Sequence, residues 1–245
     1  MSVLLALLRT DPWFGQVSPG FATGLMAMAM HRALGPGEHL FMRGDAPDGI
    51  YAVLSGTVRI SGVTEAGKEA VLASMVAPMW FGEIALFDGL SRTHDAVADG
   101  PVKLLHVPQA PLLDWLRREP DGWRELGTMM ALRLRLAFIS LEDMSLLPSE
   151  ARLVRRLLWL VEATPNLPRT GPCVLPISQA ELGSMLSLSR QTTNQILNEL
   201  QARGLLRVAY GRIEVLDRAG LFAAAQLSVG EQQMLSHWRV HDQAV

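Results

Sequence analysis

The stretch Ile177–Asp217, ISQAELGSMLSLSRQTTNQILNELQARGLLRVAYGRIEVLD, decides the reading of this chain. Ser178 followed by Glu181 is a capping box, and it predicts a helix starting at Gln179 and running to about Met185. Ser187 to Ser189 reads as a short turn, and Ser189 caps a second helix, RQTTNQILNELQARG, which stops at Gly204. Ile196, Leu197 and Leu200 give that helix a buried face, while Arg190, Gln191, Asn194 and Gln195 stand on the opposite face at its start. Two short helices joined tightly, the second polar at its N-terminus, form a helix-turn-helix. The polar set suits base edges: arginine pairs with guanine and glutamine or asparagine with adenine. Two strands around a Gly211-Arg212 turn follow, a wing whose Arg212 is placed to meet a phosphate. The candidate DNA contacts are Ser178, Gln179, Ser189, Arg190, Gln191, Asn194, Gln195 and Arg212. The alternative is a purely structural helical pair.

Charge supports the first reading. From Glu150 to Gln226 there are nine arginines, no lysine and six acidic residues, a net +3, while the whole chain carries -2. The remainder therefore sums to -5. Such asymmetry is the electrostatic footprint of a nucleic-acid module.

Upstream, LLPSEARL interrupts a long helical pattern: Pro148 cannot continue a helix, and Ser149 is placed to cap a new one. The segment Asp121–Met144 repeats apolar residues at three- and four-residue spacing. Gly127, Met130, Ala131, Leu134, Ala137, Phe138 and Leu141 make one stripe; Met129, Leu132, Leu136 and Ile139 make a second. Two apolar faces need two partners. Either this is a central core helix, or one face meets the domain before it and the other a second copy of itself.

From His31 to Val107 short apolar runs alternate with turn signals, LGPGEH, RGDAPDG, TEAGKE and ADGPV. Several short strands at this spacing predict a sandwich or barrel-like β domain. Within it lies Phe81–Thr93, FGEIALFDGLSRT, where Glu83 and Arg92 flank an apolar centre, and Ile84, Leu86 and Phe87 are expected to anchor it.

The chain has 245 residues, 49% of them hydrophobic and 19% charged, enough for two ordinary soluble domains. One cysteine, Cys173, excludes an internal disulfide framework and an iron–sulfur cluster held within one chain, and fits a reducing cytoplasm. The first residues predict an amphipathic helix and not a signal peptide, and no run is long enough to span a membrane. No nucleophile–base pair, metal-ligand spacing or phosphate loop argues for an enzyme.

Taken together, the chain resembles the cyclic-AMP receptor/fumarate-nitrate regulator (CRP/FNR) family over roughly residues 10 to 225. FGEIALFDGLSRT is similar to its phosphate-binding cassette and LSRQTTNQIL to its recognition helix. The resemblance implies an α+β chain: a cyclic-nucleotide-binding-type β-roll (jelly roll) over 1–120, a dimerisation helix and hinge over 121–147, and a winged helix-turn-helix over 148–226. A tail with some helical content, 227–245, completes the chain. It also implies roles. Glu83 accepts a ribose hydroxyl, Arg92 and Thr93 take the cyclic phosphate, Gly82 lets the backbone approach, and the N–H groups near Ile84 and Ala85 add donors. The alternative is that Glu83 and Arg92 pair with each other. Ala137 and Phe138 occupy the positions where cyclic-AMP-responsive members present hydroxyls to adenine, so Phe138 either stacks on a base or fills the site. His94 follows the phosphate pair, where it is either a surface strand residue or adds charge near the phosphate below its ordinary pKa. Ser187 replaces the usual turn glycine.

A small effector (cyclic AMP, cyclic GMP or cyclic di-GMP), palindromic double-stranded DNA, a second copy of the chain and RNA polymerase are the implied partners, in the cytoplasm. The rivals are a family member with another effector or none, a haem sensor using His31, His39, His94 or His106, and a nucleotide-binding module without DNA binding.

Overall fold

The computed structural model describes residues 3–63, 69–164, 167–168 and 171–239. The chain divides into two compact units, 1–138 and 139–245. Most of the turn expected in TEAGKE, residues 64–68, lies outside the described residues, as does Arg169 of the charge count.

In the first unit, helices α1 (Val3–Leu8) and α2 (Pro19–Met28) lead into β1 (Met30–Leu34), β2 (His39–Phe41), β3 (Gly49–Val63), β4 (Glu69–Val76) and β5 (Met79–Phe81). A short helix α3 (Ile84–Asp88), the long strand β6 (Asp95–Pro108) and α4 (Gln109–Arg118) follow. The sheet is antiparallel, ordered β1-β6-β3-β4, with β2 added to β6 and β5 to β3. β3 and β6 pair from Gly49↔Pro108 to Ser61↔Asp95, with register shifts between Val53 and Thr57. Gly56 sits in that irregularity at φ +81°, and a Cβ there would stand 2.4 Å from the Pro101 carbonyl oxygen. Glycine is what lets the two strands bend together into a roll.

The strand GIYAV shows why the alternation in the sequence is only partial. Successive side chains point to opposite faces, and here both faces are covered. Ile50 and Ala52 join a core with α1, α2, α4 and Trp80, while Tyr51 and Val53 join a second core inside the roll with Phe81 and Leu104.

Helix α5 (Gly122–Leu146) starts in the first unit and enters the second. Leu126 and Met129 are buried in the first unit's core. The first expected stripe is left open along the single chain: Leu134, Phe138 and Leu141 are each at least 55% exposed, as is Met144 beyond them.

The second unit continues with α6 (Ser149–Ala163), β7 (Cys173–Leu175), α7 (Gln179–Met185), α8 (Arg190–Ala202), β8 (Leu206–Ala209), β9 (Arg212–Val215), α9 (Arg218–Ala224) and α10 (Val229–Arg239). One core holds it, built on Leu153, Leu157, Leu182, Leu200, Ile213 and Leu235.

Several expectations are corrected. Ser149 caps nothing: Pro148 is the N-cap residue of α6 without a side-chain cap, and the Ser149 hydroxyl instead accepts from Arg152. β7, too short to stand out in the sequence, adds a third strand to the wing in the order β7-β9-β8. The wing turn is Tyr210-Gly211, and Arg212 opens β9 opposite Ala209. Ile84 and Phe87 do not anchor the cassette. They are 49% and 38% exposed, whereas Ala85 and Leu86 are buried. A helix of five residues has a single inner side, and Phe87 packs edge-on against Trp123.

Candidate functional site: a ligand cavity and a nucleic-acid interface

In the first unit, a cavity of about 100 Å³ opens beside the cassette. Gly82, Glu83, Ile84, Ala85, Arg92 and Thr93 all line it, joined by Ser91, His94 and an apolar wall of Phe41, Ile60, Met75 and Phe81. Two local features shape it. Gly82 has φ +96°, and a Cβ there would press on the Gly49 carbonyl at 3.2 Å and the Arg92 guanidinium at 3.3 Å. The loop carrying Arg92 is stapled to the Met42–Asp45 turn, with Arg92 N–H donating to Asp45 O and Gly44 N–H to Arg92 O.

Glu83 and Arg92 of the cassette do not meet each other; each has its own partner. Arg92 is 5% exposed. Its Nη2 donates to Asp48 Oδ1 and to Gly49 O at 2.7 Å each, and its Nη1 donates to Gly82 O at 2.9 Å. The guanidinium lies 4.3 Å from the centre of the Phe41 ring. Its Nε is buried without a hydrogen-bond partner among the described residues. Asp48 is in turn held by the Tyr51 hydroxyl, and its carbonyl accepts from His106 Nε2 at 3.0 Å. Burial pushes the Asp48 carboxyl up, but the bonds from Tyr51 and Arg92 outweigh it and hold the group below its usual range. Burial and the Asp48 bond both raise the Tyr51 phenol.

Glu83 is 1% exposed. Arg133 of α5 donates from Nη1 to both of its oxygens, at 3.1 and 2.9 Å, and from Nη2 to the Trp80 carbonyl. A carboxylate has about four acceptor sites, so Glu83 retains capacity for a donor hydroxyl. Arg133 is the α5 residue at the cavity; Ala137 and Phe138 do not line it, and Phe138 is 60% exposed rather than filling it. His94 Nδ1 lies 2.9 Å from the Thr93 hydroxyl. Burial first, and the Arg43 charge second, push the His94 pKa down, so its ring gains charge only further into acid than expected. The residues can hold a small anion at Arg92 and Thr93 that also bears a hydroxyl facing Glu83.

Sequence reasoning missed Asp48, Tyr51 and Arg133. Asp48 sits in APDG, which reads as a turn, and Arg133 interrupts the second apolar stripe of α5, the one signal that marked it.

In the second unit the capping box at Ser178 forms, with Ser178 N–H donating to Glu181 Oε2 at 2.7 Å and Glu181 N–H to Ser178 Oγ at 3.2 Å. Gln179 opens α7 behind it. Ser187 adopts φ +53°, and Leu188 N–H closes the turn on Gly183 O at 2.9 Å. A Cβ on Gly183 would stand 2.7 Å from Thr193 Oγ1, so a glycine is what allows α7 and α8 to approach this closely. Ser189 caps α8 by accepting from Thr192 N–H. Arg190 and Gln191 then project exposed, with no ion pair or hydrogen bond from either side chain among the described residues. Gln195 donates to Glu199 at 3.0 Å, while the Asn194 side-chain oxygen is buried without a partner. Arg212 is exposed beside the fully exposed Tyr210 at the wing tip.

No helix among the described residues is long and apolar enough to cross a membrane, and no group of three or more potential metal ligands converges among them.

Known proteins share both halves. Residues 31–119 match a cyclic nucleotide-binding domain and residues 151–224 a Crp-like helix-turn-helix domain. The chain is 29% identical over 212 residues to the cyclic AMP receptor protein of Thermus thermophilus, covering 86% of this chain and 95% of that protein. It is 30% identical to the transcriptional regulator SdrP of the same organism, over 73% of this chain and 85% of that one. The crystal structure of a CRP/FNR-family transcriptional regulator from Thermus thermophilus superposes with a TM-score of 0.65 at 30% identity, covering 81% of this chain and 99% of that chain.

Proposed function

The chain belongs to the CRP/FNR family of transcriptional regulators, and on that premise we propose that a cyclic nucleotide in the β-roll cavity sets its affinity for palindromic DNA. One observation carries the ligand half: the buried Arg92 guanidinium lines the cavity and keeps an unpaired Nε. An unsatisfied buried donor is costly, and an anionic oxygen is its natural complement. In this reading Thr93 adds a hydroxyl to the phosphate and Glu83, oriented by Arg133, accepts from the ribose. The N–H groups of Ile84 and Ala85 complete the cradle.

The relative named a cyclic AMP receptor protein supports a cyclic nucleotide as the effector class. The base is a separate question. Ala137 and Phe138 offer no hydrogen bond to adenine, so cyclic GMP and cyclic di-GMP stand beside cyclic AMP as ligands to be compared.

On the DNA side, Arg190 reads guanine, Gln191, Asn194 and Gln195 set the neighbouring preferences, and Ser178, Gln179, Ser189 and Arg212 serve the backbone. The open stripe of α5 is the seam of a homodimer, which spaces two recognition helices about one DNA turn apart. RNA polymerase is the partner through which such a regulator acts. The ligand shifts the DNA-competent arrangement only by its different affinity for the two states.

Calorimetric titration of the wild-type protein with the three nucleotides tests the ligand half. Binding of one of them, lost in Arg92→Ala while the fold persists, is the expected result; equal binding by the variant would reassign the cassette.

A further inference from the structure

The C-terminal helix α10 lies beyond residues 151–224, the span of the Crp-like helix-turn-helix match. It is a built part of the second unit. Ser228 and Glu231 cap it reciprocally, Ser228 N–H donating to Glu231 Oε2 at 2.6 Å and Glu231 N–H to Ser228 Oγ at 3.3 Å. Leu235 is fully buried, and Leu227 nearly so, in the core shared with α6.

The polar side of this contact is more informative. Arg155 of α6 is 11% exposed and bonds four acceptors from three places. Its Nη1 donates to Asp143 Oδ1, on the last turns of α5, at 2.6 Å and to Glu231 Oε1, on α10, at 2.5 Å. Its Nε and Nη2 donate to the carbonyls of Ala225 and Gln226, just after α9, at 2.9 Å each. Gln226 itself is held at φ +48°, a backbone region that non-glycine residues adopt at a cost. The Asp143 carboxyl is pushed up by burial and by the Glu231 charge, against the pull of Arg155. Asp143 and Glu231 thus share one nitrogen of a single guanidinium, each taking one of its two N–H groups.

We infer that Arg155 is a positioning residue that binds the end of α5, the foot of the DNA reader and the C-terminal helix into one body, so that α10 helps determine how movement of α5 reaches the DNA-binding helices. Each of the three attachments joins a different element, which a purely local cap does not require. The planar fork matters here, because a lysine ammonium cannot reproduce this set of bonds.

The inference rests on the reading of the protein as a DNA-binding regulator, and its test separates the two. Dissociation constants for a palindromic duplex are measured with and without saturating cyclic nucleotide for the full-length wild type, Glu231→Gln, Asp143→Asn and Arg155→Lys. Melting temperatures are recorded alongside, and all binding is measured well below them. The expected result is that each variant weakens nucleotide-bound DNA affinity by about 5-fold or more and shrinks the ratio between the two states. A merely structural role would lower the melting temperature and leave that ratio intact. DNA affinities within 2-fold of wild type in both states, for both Glu231→Gln and Asp143→Asn, overturn the inference. Should the wild type bind DNA without responding to any nucleotide, the ligand reading fails instead, and the positioning role is judged on the same 5-fold loss in basal affinity.

Discussion

The cassette and the recognition helix present similar chemistry in opposite states. In both, an arginine and hydroxyl or amide neighbours stand beside a helix start. Arg92 is 5% exposed and enclosed by Asp48, Gly49 O and Gly82 O, and Glu83 is paired with Arg133. Arg190 and Gln191 are open to solvent, with no protein partner among the described residues. The difference teaches how each site must bind. A ligand in the roll must settle among partners that Arg92 and Glu83 already hold, so its affinity is a difference between buried contacts. DNA at the recognition helix replaces only water and ions, so its affinity follows charge and salt.

The largest break in this contrast is Arg92→Ala. Truncating one partner of a buried, hydrogen-bonded charge pair costs about 2–5 kcal/mol, and nucleotide affinity should fall accordingly in calorimetry, with DNA affinity of the unliganded protein unchanged.

Asp11 extends the comparison to a second buried carboxylate under the influence of Arg133. It is 4% exposed, its Oδ1 accepts from the N–H groups of Trp13 and Phe14, and burial pushes its pKa from 3.8 to about 6 despite those bonds and the nearby Arg133 charge. A raised folded-state pKa means that the native protein holds the proton longer than the unfolded chain. The group therefore costs nothing below about pH 4, and its cost grows as pH rises to about 6 and is complete above it. Asp11→Asn should stabilise the protein by up to about 3 kcal/mol at pH 7 and flatten stability between those two values. Urea unfolding followed by tryptophan fluorescence measures both; parallel pH profiles for variant and wild type would contradict the assignment.

On the open side, Arg190→Ala should cost about 1–3 kcal/mol and relax preference at one base position, whereas Arg212→Ala should weaken all sequences alike and reduce the salt slope by about 1. Fluorescence anisotropy on a set of point-substituted duplexes distinguishes them. An Arg190→Ala loss equal on every duplex would remove the base-reading role.

The smallest effect sharpens the contrast. Asp48 occupies Arg92 with a carboxylate that is 42% exposed and competes with any bound phosphate. Asp48→Asn removes the competitor at a partly solvated site, and nucleotide affinity should tighten by about 1 kcal/mol, roughly 5-fold. Weaker binding would mean that Asp48 serves to aim Arg92 instead.

The two regions were also unequally legible in the sequence. The reader could be placed almost residue by residue because capping boxes, turns and short amphipathic helices are set by neighbours a few positions apart. Even there, the pairing of β7 with β9 escaped notice, since it joins residues some 40 apart. The cassette was legible as a motif, but its partners were not: Asp48 meets Arg92 across 44 residues and Arg133 meets Glu83 across 50. Such pairs form only when the roll closes: APDG reads as a turn, and an arginine set into the α5 stripe does not say which residue it meets. Ile84 and Phe87 show the same limit from the apolar side, because hydrophobicity alone does not say which side of a single helical turn faces inward.

Occupancy of the roll is expected to change DNA binding, and one measurement tests this directly. The dissociation constant for a palindromic duplex is determined for the wild type and Arg92→Ala, without nucleotide and with saturating cyclic AMP, cyclic GMP or cyclic di-GMP. A change of about 5-fold or more is expected with at least one nucleotide, absent in Arg92→Ala. Tight palindrome binding by the wild type that no nucleotide alters would contradict it.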